Sequence, residues 1–499
     1  MKYIKYLLFV AVLIVFSACN DEEDFYDQLE NPPVTVTPPA LTAGSANFSN
    51  FVSIGNSLTA GFTDGALFMA SQEHSFPNTL AKKFALVGGG SFTQPLMNDN
   101  FGGLALGGTR LTQPRLVFGG AGPVPLESVI GPVTVTTDLA VNNPTGPFNN
   151  FGVPGAASFH LVAPGYGNIA NLAAGLANPY FVRMTGATPD ATVMELAMAQ
   201  SPTFVSLWIG ANDVLGYALG GAATGAPTPQ TVFDGAMALV MGSLGDVQGV
   251  MANIPYVTSI PYFTTVSHDV VPLDAATAGA VNSAYAAYNA AVQGLVGIPP
   301  VMMTQEEADS RMINFEESDN NAVVIMDETL SDLTVFDPAL ISMRQATMDD
   351  LLILPSASFI GTEAVPGNPL TVNGVAIPLA DNWVLIPSEQ DEIRTAIDGF
   401  NATISSSANA AGFAFVDANA VFQQMSTGGY PDGEFILTSD LVTGGALSLD
   451  GVHGTARGYA LVANLFLQAI DATYGSNFEE SENLVDIGEF PTNYSPFLD

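Results

Sequence analysis

Short apolar runs recur along the chain and stop abruptly at small or polar residues. Phe51-Val52-Ser53-Ile54 ends at Gly55, and comparable runs cover Thr203–Ile209, Gln248–Asn253 and Phe413–Val416. A segment that is apolar on both faces and only four to seven residues long suits a strand covered from both sides, as in a parallel sheet. Helical segments lie between them. Ala275–Leu295 is Ala-rich with Tyr285 and Tyr288 at helical spacing. Ser388–Ala411 opens on Ser388-Glu389-Gln390-Asp391, acidic where a helix N-terminus favours negative charge, and Gly458–Ile470 is an apolar helix near the end. Strands alternating with helices predict an α/β fold, a three-layer α/β/α sandwich around a central parallel sheet. Residues 88–150 and 300–380 break that alternation. They are Gly/Pro-rich or irregular and read as long insertions able to wall a pocket.

The N-terminus follows a different pattern. Lys2 and Lys5 precede an apolar run from Tyr6 to Phe16, and Ser17-Ala18 leads into Cys19. This is the charged, apolar, small-residue order of an export signal, and the run is too short for an ordinary membrane span. Phe16-Ser17-Ala18-Cys19 resembles the lipobox of bacterial lipoproteins, which implies removal of a leader, residues 1–18, and acylation of Cys19. Acyl chains anchor through about 0.8 kcal/mol per buried methylene. The acidic cluster Asn20-Asp21-Glu22-Glu23-Asp24 is similar to surface-export tags of Bacteroidetes lipoproteins. That likeness implies an outer-membrane or cell-surface protein whose body faces the periplasm or the medium. Residues 19–45, acidic and then rich in Pro32, Pro33, Pro38 and Pro39, read as an extended tether. A domain over residues 46–475 and a tail over 476–499 complete the expected organisation.

Composition narrows the chemistry. Hydrophobic residues make up 48% of 499, enough for a sizeable core. Asp and Glu outnumber Lys and Arg by 48 to 11, for a formal charge of -37. Such a surface repels nucleic acid and anionic headgroups, which makes polyanionic substrates poor candidates while neutral esters remain open. With Cys19 as the one cysteine, neither a disulfide framework nor a cysteine zinc site is available within the chain.

Four stretches carry candidate chemistry. Gly55-Asn56-Ser57-Leu58 follows the first strand, where α/β proteins place their sites. Asn150-Phe151-Gly152-Val153-Pro154-Gly155-Ala156 is a Gly-rich turn able to present a backbone N–H. Gly210-Ala211-Asn212-Asp213 follows another strand, and its Asn amide can donate to an oxyanion. Asp450-Gly451-Val452-His453 sets a carboxylate three residues before an imidazole, the pair that ester hydrolysis needs to deprotonate a serine. Taken singly, each is also compatible with a helix cap or an ordinary loop.

Taken in this order, the four stretches resemble the SGNH/GDSL hydrolase family over roughly residues 48–470. The resemblance implies that family's flavodoxin-like sandwich, with Ser57 as nucleophile and His453 as base, oriented by Asp450. It implies an oxyanion hole from the Ser57 N–H, the Gly155 N–H (Gly152 being the weaker registration) and the Asn212 side chain. The implied reaction is acyl-enzyme hydrolysis of a small-molecule, glycan or lipid ester, by a lipase-like esterase or a carbohydrate O-deacetylase, with no metal or cofactor. Asn56 departs from the family's aspartate, and the two insertions have no counterpart in the motif set. The alternative is a surface ligand-binding lipoprotein on the same fold without catalysis.

Three further histidines and two cations complete the inventory. His74 and His268 read as surface-loop residues, and His160 completes the four histidines from which a base is chosen. Arg110 and Arg115 read as partners for the abundant carboxylates.

Overall fold

Each apolar run is followed by too long a chain for a hairpin, so the runs pair in parallel through crossovers. The computed structural model describes residues 37–498. The expected leader, Cys19 and residues 20–36 of the tether lie outside the described residues. Five strands form the central sheet: β1 (Phe51–Gly55), β2 (Asn150–Gly152), β3 (Phe204–Trp208), β4 (Gln248–Ala252) and β5 (Ala414–Val416). All are parallel, in the spatial order β5-β4-β3-β1-β2. Eight helices matter here: α1 (Ser57–Ala60), α2 (Phe76–Phe84), α3 (Asn212–Leu219), α4 (Gln230–Leu244), α5 (Ala275–Gly294), α6 (Pro387–Ala411), α7 (Ala418–Thr427) and α8 (Ala456–Tyr474).

The sheet is covered on both faces, and its side chains alternate between two cores. Val52, Ile54, Val205 and Leu207 join one core with α4 and α6. Phe51, Phe204, Trp208 and Val250 join the other with α2 and α8. This is the α/β sandwich that the apolar runs predict. Helix α6 shows what holds the outer layer. Its buried positions Ile393, Ile397, Phe400 and Ile404 recur every three or four residues. At roughly 1.5–3 kcal/mol per buried side chain, this stripe outweighs the cap, which contributes about 1 kcal/mol. The cap sets the starting point instead: Glu389 Oε2 accepts the Ile386 N–H at 2.8 Å, and Pro387 occupies the first turn.

Three expectations change. Strand β2 carries no periodicity in its three residues, and the Gly-rich turn therefore begins as an edge strand. Helix α5 forms as expected but does not cover the sheet. Its stripe of Val281, Tyr285, Tyr288 and Val292 packs into a separate core built from residues 266–386. The second insertion is therefore a substructure with its own apolar interior, and it starts well before residue 300. Near the ends, residues 41–45 and 483–498 belong to the packed body. Ser45 N–H donates to the Tyr474 carbonyl at 2.8 Å, and Ile487 and Tyr494 are buried. Residues 37–40 and 480–482 form no helix or strand. No helix among the described residues is long and apolar enough to cross a membrane.

One close approach fixes where α1 lies. A Cβ added to Gly152 would stand 2.2 Å from the Ala60 backbone nitrogen and 2.6 Å from the Thr59 carbonyl carbon. Both obstacles are main chain, so no side-chain rotation relieves them. Gly152→Ala should lower the midpoint of chemical denaturation, at a cost of about 1–3 kcal/mol, whereas Gly175→Ala serves only as a control for a left-handed helix end in open space.

Candidate active site

The register of the sheet sets the level of everything above it. Gly55 pairs with Gly152 on one side and with Trp208 on the other, so these three residues form one row at the carboxyl edge. The chain leaves β1 towards β2 on one side and returns to β3 on the other, which makes this edge the topological switch point where α/β folds bind ligands. Ser57, Gly155 and Asn212 stand two, three and four residues beyond that row.

Ser57 is the first residue of α1 and is buried. Asn56 caps the helix, its side-chain oxygen accepting the Leu58 N–H at 3.0 Å. The residue that departs from the family motif is thus a good N-cap. His453 Nε2 lies 2.9 Å from Ser57 Oγ, and His453 Nδ1 lies 2.9 Å from Asp450 Oδ2. The Phe62 ring covers the imidazole, with centroids 4.6 Å apart. The two sequence-distant motifs therefore meet in one hydrogen-bonded line, serine to histidine to carboxylate.

Asp450 is held by more than the histidine. Its Oδ1 accepts the Val452 and His453 N–H groups, both at 2.9 Å, and the Ser448 hydroxyl at 3.0 Å. Gly65 N–H donates to Oδ2 at 2.8 Å. Burial pushes this carboxyl upward, but His453 and the converging donors override it and hold the group well below the usual carboxylate range. Asp450 is consequently an anion that keeps His453 Nδ1 protonated and leaves Nε2 free to accept from Ser57.

Gly65 belongs to a part of the site that sequence reasoning missed. Thr63 and Ala66 exchange backbone hydrogen bonds at 3.0 Å around Asp64-Gly65, both with positive φ (52° and 76°). This is a type I′ turn, for which Asp-Gly is a preferred pair, and that dipeptide was the available signal. The turn aims Gly65 N–H at Asp450, while Asp64 itself is buried. Asp64 N–H donates to Ser448 Oγ at 3.1 Å, and its Oδ1 accepts the Leu449 N–H at 3.1 Å. Burial, and the nearby negative charge of Asp450, raise the Asp64 carboxyl from 3.8 to about 7 against the pull of its hydrogen bond and of Arg115.

The proposed oxyanion donors differ in availability. Gly152 N–H is engaged by Asn150 Oδ1 at 2.9 Å and Gly152 is buried, so it has nothing to offer a substrate. Gly155 is exposed, and its N–H has no hydrogen-bond partner among the described residues. Ser57 N–H, at the first position of α1, has no intrahelical acceptor. Asn212 Nδ2 donates to the Ala156 carbonyl at 2.9 Å, which ties its amide to the Gly155 loop and leaves one hydrogen free. Two further braces were not anticipated. Asp213, buried beside Asn212, accepts both the N–H and the hydroxyl of Ser158 at 2.7 Å. His160 Nδ1 accepts the Ala157 N–H at 3.0 Å, and its ring stacks on Tyr166.

No protein-family model matches the chain, and no curated protein matches it in sequence. Among solved structures, an extracellular lipase from Streptomyces rimosus aligns over 85% of this chain and 99% of its own, at 12% identity and a TM-score of 0.26. Residue roles therefore rest on the geometry alone.

An apolar cleft opens beside Ser57. It is narrow, and Asn56, Ser57, Asn212 and His453 stand in its wall. None of its lining residues comes from 88–150 or 300–380, so the insertions do not wall it. The remaining wall comes from α1 and α3, from the loops after β3 and β4, from the loop that carries His453, and from α7 and α8.

Other singled-out residues take structural roles. His74 is not a solvated loop residue: its Nδ1 lies 2.9 Å from the Tyr494 hydroxyl, and burial lowers its pKa. His268 faces Asp269 at 3.9 Å. Arg110 forms a two-pronged pair with Glu127, both contacts at 2.8 Å. Arg115 makes no such pair. It is buried, donating to the Asn100 and Ser495 carbonyls and lying over the Phe68 ring. Among the described residues, the one group of carboxylates close enough to share a metal ion is Glu328, Asp381 and Glu389, none of which belongs to the Ser57 cluster.

The Asp64 carboxyl makes stability depend on pH in a definite direction. The folded chain keeps this proton up to about 7, whereas the unfolded chain releases it near 3.8. Between those values the folded state binds more protons, so this contribution falls as pH rises through the window and is lost above it. Asp64→Asn retains an acceptor for Leu449 and removes the titration. Chemical denaturation should find the variant equal to wild type near pH 4 and more stable at pH 8, by up to roughly 4 kcal/mol.

Proposed function

We propose that this protein is a serine ester hydrolase acting through an acyl-enzyme, in line with its resemblance to the SGNH/GDSL hydrolases. The observation that carries the reading is the unbroken line from Ser57 Oγ through His453 to Asp450, at 2.9 Å for each contact. In the first step Ser57 Oγ bonds to the ester carbonyl carbon while His453 Nε2 takes the hydroxyl proton. Asp450 stabilises the imidazolium that results. The negative charge on the carbonyl oxygen is met by the Ser57 and Gly155 N–H groups and by Asn212. Collapse of this intermediate breaks the bond to the alcohol, which leaves with the proton from His453. Water, deprotonated by the same histidine, then adds to the acyl carbon; the bond to Ser57 Oγ breaks, Ser57 regains the proton from His453, and the acid leaves.

The resting hydrogen bonds favour this use of the residues over a purely binding role. A ligand-binding module needs neither an anion held so far below its usual range nor an imidazole aligned on a serine. A fluorophosphonate probe should label wild-type protein on Ser57, as read by peptide mass spectrometry, and turnover of p-nitrophenyl butyrate should be abolished in Ser57→Ala. Asp450→Asn should lower kcat by about 10⁴, and Asn212→Ala by about 10²–10³. Undiminished turnover in a folded Ser57→Ala protein would end the reading.

The proposal extends to location. Residues 1–18 are read as a lipoprotein leader and Cys19 as the acylated residue, with the following acidic and Pro-rich residues as a tether to an outer-membrane or surface anchor. Cells fed an alkyne palmitate should label the full chain, and Cys19→Ser should abolish the label.

A further inference from the structure

The cleft beside Ser57 has a composition that decides between two kinds of ester. Its polar wall groups are Ser57, its cap Asn56, and the partners Asn212 and His453, all at the catalytic end. Two other lining residues carry polar atoms, and both are already satisfied by main-chain carbonyls. Trp208 Nε1 donates to Asn253 O at 3.0 Å, and the Tyr459 hydroxyl donates to Phe62 O at 2.6 Å. The rest of the wall is hydrocarbon. On α8, Gly458, Leu461, Val462 and Leu465 form a stripe at helical spacing, faced by Val421, Phe422 and Met425 of α7. A sugar ring placed there would bury hydroxyls with no partner, at roughly 1–3 kcal/mol each. A hydrocarbon chain would lose only its contact with water.

The stripe also has a direction. It starts at Gly458, five residues after His453, and ends at Leu465, which is about 10 Å along a helix axis at 1.5 Å per residue. A chain entering from the Ser57 carbonyl would run between α7 and α8. We propose that this cleft receives the acyl chain of the substrate, so that the enzyme selects esters of medium- or long-chain fatty acids over acetylated carbohydrates. This inference rests on the serine-hydrolase reading for its chemistry, while the cleft's affinity for a hydrocarbon chain is independent of it.

The test is a ladder of p-nitrophenyl esters from acetate to dodecanoate, with wild type, Leu465→Trp and Val421→Trp. Both substituted side chains are half-buried, so if one indole is not tolerated by the fold the other serves. In wild type kcat/KM should rise about fourfold per added methylene while the chain lengthens within the cleft, and then level off. In the tryptophan variants the ratio of octanoate to acetate turnover should fall at least tenfold relative to wild type. A ladder that is flat or highest at acetate, with Ser57-dependent turnover, would overturn the acyl cleft and leave the hydrolase intact. If no ester is turned over, displacement of bound cis-parinaric acid by dodecanoate from folded Ser57→Ala decides the cleft by itself. Displacement that is weakened at least tenfold by Leu465→Trp supports it; absence of binding overturns it.

Discussion

The arrangement above the sheet depends on the parallel register at β1. With Gly55 level with Gly152 and with Trp208, three separate crossovers deliver their first turns to one edge. A slip of one residue in either pairing would turn the strand's alternating side chains to the wrong core and would move its loop by more than 3 Å. Both cores resist such a slip, because Val205 and Leu207 belong to one and Phe204 and Trp208 to the other. The precision of the site is thus inherited from burial far below it. Glycine at 152 adds a steric condition, since only a residue without Cβ lets α1, and with it Ser57, lie against β2.

Above that edge the organising element is an anion. Asp450 gathers donors from its own turn, from Ser448 and from the Asp64-Gly65 turn, so that one carboxylate joins chain segments nearly four hundred residues apart. A buried charge is costly unless it is fully hydrogen-bonded, and here the donors supply that compensation. The same turn carries Asp64, whose carboxyl lies close enough to Asp450 to feel its charge and keeps its own proton to about 7. Two neighbouring carboxyls are therefore pushed in opposite directions, one fixed as an anion and the other favouring the neutral acid.

The large insertion shows how an added segment avoids disturbing this arrangement. Residues 266–386 bury their own apolar side chains around α5, and Arg344 bridges Asp327 and Asp350 within them at 2.6–2.7 Å. Most of its apolar side chains turn into this second core, while Ile353 and Leu385 join the core of the sandwich and tie the two together. The cleft beside Ser57 is walled instead by elements of the sandwich itself, α7 and α8 in particular.

The sequence by itself determined the strands β1, β3, β4 and β5, the helices α5, α6 and α8, and the residues that meet at Ser57. Those features are local: apolar runs, helical spacing and short motifs each act over a few residues. Tertiary structure alone decided the rest. The three residues of β2 have no periodicity, and their pairing depends on β1. The regular stripe of α5 specifies a helix but not which core receives it. Arg115 was matched to carboxylates by its charge, yet its hydrogen bonds go to carbonyls and it lies over a phenyl ring, with Asp64 near enough to feel its charge but not in a close ion pair. The motif favoured Gly155 over Gly152, and the physical reason, the hydrogen bond that occupies the Gly152 N–H, belongs to the fold. Asp64, distant in sequence from Asp450, entered the site because long-range packing, which no local pattern encodes, brings their turns together.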